Sequence, residues 1–134
     1  MIPGLGTPLK MSQENFFAYG DNGLKSDFGG HDNYWHGNVL AYVGNCYTHF
    51  SFKGYNDEFW DNQCVFRGSY NSDCDLAAGW MVHDNAVYSK SGELQVCKTD
   101  FKAWTAAGHD KGSTLAKWPA DAELIAMGKK VLGM

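Results

Sequence analysis

Residues 23–39 read GLKSDFGGHDNYWHGNV, and later segments of the chain rewrite this stretch. Gly-His-Asp-Asn-Tyr-Trp at 30–35 returns as Gly-Tyr-Asn-Asp-Glu-Phe at 54–59 and as Val-His-Asp-Asn-Ala-Val at 82–87. Asn38 of the first copy is matched by Asn62 of the second at the same offset. A motif that recurs about every two dozen residues marks a repeat architecture, in which each copy buries its apolar face against the next.

Setting Gly30 against Gly54 and Val82 aligns whole segments and generates columns. Leu24, Thr48 and Leu76 form one, and Phe28, Phe52 and Trp80 form an aromatic one. Asn33, Asp57 and Asn85 form a third, and Asn22, Cys46 and Cys74 a fourth. Each copy carries short β-like pieces: Asn38 to Val43, Gln63 to Phe66, Ala86 to Tyr88 and Glu93 to Val96. Clusters of Gly, Asn and Asp separate them, and helical spacing is absent until the last residues. Strands of this length in a repeat of about 24 residues suit the coil of a parallel β-helix, with apolar columns inside. Asn or Asp columns at the turns would satisfy backbone groups between coils. An antiparallel sandwich explains the strands equally well but not the matched columns.

The chain of 134 residues reads as one domain. Residues 1–14 are an extended entry segment, 15–104 the coils, and 105–134 a closing loop and helix. Pro119 in a first turn, Asp121 and Glu123 at the positive end, and Lys129 and Lys130 at the negative end predict that helix, with Gly133 as its stop. Leu124, Met127 and Val131 fall on one face, with Leu132 at its margin, and the helix is expected to cap the open end of the solenoid. The other end is expected to be covered by another chain, by more protein or by the segment 1–14.

Lysine plus arginine number 11 and aspartate plus glutamate 15, for a formal charge of −4. The chain lacks the basic stripe of a nucleic-acid binder, and no apolar run is long enough to span a membrane. Cys46, Cys64, Cys74 and Cys97 form an even set without paired CxxC spacing. This favours two disulfides over zinc and points to a secretory or extracellular setting. Column adjacency pairs Cys46 with Cys74, leaving Cys64 with Cys97, although four cysteines allow three pairings. MIPGLGTPLKMSQ at 1–13 has neither the charged nor the apolar region of a signal peptide. A mature chain, or the C-terminal part of a longer one, is therefore expected.

KSDFGGHDN at 25–33, the Asn-rich coils and FKAWTAAGHDKGST at 101–114 resemble right-handed parallel β-helix proteins of the pectate-lyase-like superfamily. The likeness is to their C-terminal coils and closing segment, and it covers residues 15 to 134. It implies an all-β right-handed parallel β-helix of about four coils with a C-terminal capping helix. It also implies a protein that binds or cleaves a polysaccharide along one face. Other members of the group are structural or adhesive, so a non-catalytic assembly subunit and a carbohydrate-binding module are the alternatives.

Lys25, Asp27, His31 and Asp32 are the densest ionisable cluster and the leading catalytic candidates. A base and a cation on one strand face are what β-elimination or glycoside hydrolysis needs. His49 falls in the column of Lys25, and Arg67 and Lys53 suit a substrate carboxylate. Asp27 or Asp32 with Asp57 would supply a hydrolytic pair. Trp35, Trp60, Tyr34, Tyr55 and Tyr70 are candidates for stacking on sugar rings. The competing reading makes the aspartates turn and ladder residues and the rings core. The His-Asp pairs at 83 and 109 read as local hydrogen bonding in turns. No cofactor is expected, though abundant Asp and Asn side chains would permit calcium.

Overall fold

A computed structural model describes residues 11–26, 33–49, 57–71 and 80–134. The chain forms a parallel β-solenoid of about 3 turns with two short helices. The fold class expected from the repeats is the one found, and the number of coils is slightly lower.

Each coil contributes a short strand to one sheet and, after a tight corner, a longer strand to a second sheet. The short strands are β1 (Met11–Gln13), β4 (Tyr34–His36), β6 (Asp57–Trp60) and β8 (Trp80–His83), stacked in the order β1-β4-β6-β8. The second sheet is built on β2 (Phe16–Ala18), β5 (Val39–His49), β7 (Gln63–Asn71) and β9 (Ala86–Ser89). β12 (Thr114–Lys117) closes its far edge, and β3 (Asn22–Ser26) pairs with the second half of β5. All of these pairings are parallel. Strand β1 belongs to the first coil, so residues 11–13 of the extended entry segment are paired in the sheet.

The side-chain period of two divides every strand between core and surface. Leu40, Cys64 and Val87 point inward from the second sheet and Trp35 and Phe59 from the first, all buried. Val39, Ala41 and Val65 point outward from the second sheet. There they meet Leu124 of α2 (Asp121–Val131), with Phe16, Tyr42, Tyr88, Met127 and Val131 around them. The C-terminal helix thus lies along the flank of the six-stranded sheet and touches several coils. The end of the solenoid is covered by α1 (Phe101–Ala106) and the antiparallel pair β10 (Gln95–Val96) and β11 (Thr99–Asp100). Val96, Phe101 and Trp104 of this cover join Val87 in the core. The predicted charges occupy both ends of α2, and Gly133 (φ 74) stops it. Leu132 is exposed rather than on the packed face.

The corners explain the repeat. Glu14, Gly37, Asp61 and Asp84 all have positive φ, and each precedes an asparagine. Asn15 donates to Oδ1 of Asn38, Asn38 to Oδ1 of Asn62, and Asn62 to Oδ1 of Asn85, in each case from both backbone N and side-chain Nδ2. The separations are 23, 24 and 23 residues. Nδ2 of Asn62 also donates to the Trp35 carbonyl, and Nδ2 of Asn85 to that of Phe59. An amide can do this because it carries donors and an acceptor on one group. The expected polar ladder therefore exists, but its third member differs. Asn33 pairs with Asp57, whereas Asn85 belongs with Asn38 and Asn62. The last interval is one coil of 23 residues, not 28, so Trp80 lies level with Asp57 and Val82 with Phe59. Phe28, Phe52 and Leu76 lie outside the described residues.

The same shift corrects the disulfides. Asn45 pairs with Ser69 and Tyr47 with Asn71, so the register sets Cys46 level with Tyr70 and not with Cys74. Cys46 bonds to Cys64, with Cα atoms 6.0 Å apart. Both are wholly buried. Register shifts between Ala41 and Val43 and between Val43 and Asn45 interrupt β5, and beyond them its second half still runs beside β7. The bond therefore crosses the core instead of linking a column. Cys97 is also disulfide-bonded, and Cys74 lies outside the described residues.

Candidate functional site: a stacked ring column and the pocket at its end

The outer face of the six-stranded sheet is covered by α2, and among the described residues no helix covers that of the four-stranded sheet. Two rows of side chains stand on it. Tyr34, Glu58 and Met81 form one row in register, and His36, Trp60 and His83 form the other. Parallel strands in register set equivalent residues one strand spacing apart, close to the separation at which rings stack. The His36 and Trp60 rings stack at 4.5 Å and 16°, and Trp60 and His83 lie at 6.1 Å and 8°. Tyr34 meets Trp60 edge-on at 6.0 Å. Both faces of Trp60 are therefore turned to neighbouring rings. The flat sugar platform expected of Trp60 is replaced by a column that presents ring edges.

His83 ends the column and is held on both nitrogens. Nε2 lies 2.6 Å from Glu58 Oε2 and Nδ1 lies 2.7 Å from Asp84 Oδ2. Burial works against the charged ring. The hydrogen bonds to Asp84 and Glu58, together with their negative charges, outweigh it and lift the pKa above the ordinary histidine value. The turn hydrogen bond expected of the pair His83-Asp84 is thus present, with Glu58 as a second partner.

Beyond His83 the chain returns as Lys111, bridged to His83 along the strand direction. A pocket of about 360 Å³ opens there, lined by Met81, His83, Trp104, His109, Asp110 and Lys111, with Tyr47 at its base. The His109 ring stacks on Trp104 at 4.2 Å. Asp110 is buried and receives Tyr70 Oη at 2.7 Å, Ser113 Oγ at 2.7 Å and Trp104 Nε1 at 3.2 Å. Burial pushes its carboxyl pKa up against these three donors. The pair His109-Asp110 is therefore a wall of the pocket, with each member engaged elsewhere.

Of the catalytic candidates, Asp27, His31 and Asp32 lie outside the described residues, as do Tyr55 and Lys53. Lys25 pairs with Thr48, and His49 with Ser26, so the two are not in one column. Asp57 is fully buried and accepts from Asn33, the ladder role rather than that of a hydrolytic acid. Trp35 and Tyr70 belong to the core. Arg67 is exposed, with Nε donating to the Tyr42 carbonyl at 2.6 Å and Nη2 to that of Gly20 at 3.3 Å across neighbouring coils. Among the described residues no group of three His, Cys, Asp or Glu side chains could hold a metal ion.

The residues that converge, His36, Glu58, His83, His109 and Lys111, were not those singled out by charge density. A signal for the column was available in the triplets His36-Gly37-Asn38, Trp60-Asp61-Asn62 and His83-Asp84-Asn85. Alignment on the asparagine instead of the glycine exposes it. No family model, curated protein or solved structure matches the chain.

Proposed function

We propose that the protein is a secreted glycan-binding solenoid that holds a polysaccharide on the outer face of its four-stranded sheet, with a sugar residue in the pocket beside His83. The pocket carries this reading. Its volume of about 360 Å³ falls within the range of roughly 300–1,000 Å³ for small-ligand sites. His109 and the exposed Met81 offer apolar surface, while Lys111 offers hydrogen bonds to hydroxyl groups. The Cys46–Cys64 bond fits an oxidising compartment. Binding is favoured over cleavage because Asp57 is used inside the coil and Glu58 and Asp84 are both engaged by His83. Calcium is not required by this reading.

The test is a panel of neutral and acidic polysaccharides, read by calorimetry and by assays for new reducing ends and unsaturated products. Binding without products is expected, weakened about tenfold (~1.4 kcal/mol) by His109→Ala or Lys111→Ala. Silence on every glycan overturns the reading. Product formation abolished by Asp27→Asn would restore a lyase or hydrolase.

One observation favours the alternative of an assembly subunit. Phe17 lies in register with buried Leu40, yet it is 38 % exposed at the first coil. A dimer by light scattering that becomes monomeric in Phe17→Lys would support assembly through this end, and a monomeric parent would remove it.

A further inference from the structure

The position of α2 on the flank leaves a groove of about 830 Å³ between the helix and the sheet corner. Its floor is apolar, with Val39, Met127 and Val131. Among the described residues its rim carries the carboxylates of Glu14, Asp61 and Glu123 against one ammonium group, Lys130. Glu14 and Asp61 are exposed on two of the positive-φ corners. Gln63 stands in the wall, and its Oε1 is shut off from solvent without a hydrogen-bond donor.

These features select one kind of occupant. The described lining holds no aromatic ring for a sugar face, and its negative rim repels anions. We propose that this groove binds a short extended peptide segment of a partner protein, with alternating basic and apolar side chains. Its Lys or Arg side chains meet Glu14, Asp61 and Glu123, and its apolar side chains lie on Val39, Met127 and Val131. The site is on a different face from the ring column and stands independently of the glycan reading.

The probe is a fluorescein-labelled peptide of alternating lysine and leucine, titrated with the full chain and read by anisotropy. Saturable binding is expected, and an alternating glutamate–leucine peptide should not bind. Asp61→Asn with Glu123→Gln should weaken binding at least tenfold. Ala126→Trp fills the groove without changing charge and should weaken it as much, which separates the groove from attraction to a protein of charge −4. Circular dichroism checks the fold of each variant, and Ala126→Phe replaces Ala126→Trp if that variant unfolds. No binding, or binding indifferent to these changes, overturns the proposal.

Discussion

At the level of single residues, the asparagines at the corners tie each coil to the next through their side chains. Asn62 alone serves the backbone N and Nδ2 of Asn38, the Trp35 carbonyl and Oδ1 of Asn85. Asn62→Ala removes these four bonds, while Asn85 Oδ1 still accepts from the backbone N of residue 62. It should lower stability by about 3 kcal/mol, measured by urea unfolding. A loss below about 1 kcal/mol would mean that the ladder follows the fold and does not hold it. His83 makes a different contribution. Its folded pKa is raised, so the added stability is fully present below the unfolded value of about 6.5 and disappears as pH rises through the folded value. His83→Gln should flatten the decline in urea midpoint as pH rises from about 6.5. An unchanged profile would assign that decline to other groups.

At the level of elements, helix α2 is as much a sheet-covering element as a terminus. Gly128 is the contact point, because a Cβ there would come within 2.6 Å of the Phe16 ring. Alanine normally favours a helix interior by about 1 kcal/mol over glycine. Here overpacking against Phe16 should exceed that gain, so Gly128→Ala should lower the melting temperature by a few degrees. A rise would show that the ring can move aside. The helix itself was legible from the end charges and Gly133, because these act through local rules, whereas Pro119 lies before the N-cap Ala120 and not in the first turn. Its seat was not, since Leu124 would suit the end of a coil or the flank of a sheet equally well. Strand existence was legible for the same local reasons, while register was not. A shift of one residue exchanges the faces of a strand, and Lys25 with His49 failed by that single step.

At the level of the whole molecule, the repeat was readable because stacked coils need equivalent residues at equivalent corners. The column of His36, Trp60 and His83 was hidden because its members differ in residue type and share only a position. The disulfide was hidden because it crosses the coil, and an interrupted strand has no signature in column alignment. Cys46 and Cys64 are separated by 18 residues. The double variant Cys46→Ala, Cys64→Ala should lose about 2–4 kcal/mol in urea unfolding while Cys97 keeps its own bond. A much smaller loss would show that the packed coil needs no crosslink.

The asparagine ladder also has a direction and an end. Each asparagine in it gives its backbone N–H to the next coil towards the C-terminus, until Asn85 gives its own to Ser113 Oγ. Ser113 gives its own proton to Asp110, which is already turned towards Tyr70 and Trp104 in the closing segment. A hydroxyl has one proton to give, and here it is spent inside the cap. The length of the molecule is thus written as a count of amide rungs followed by a full stop. Duplication of one rung with its coil would lengthen the rod and leave both of its ends unchanged.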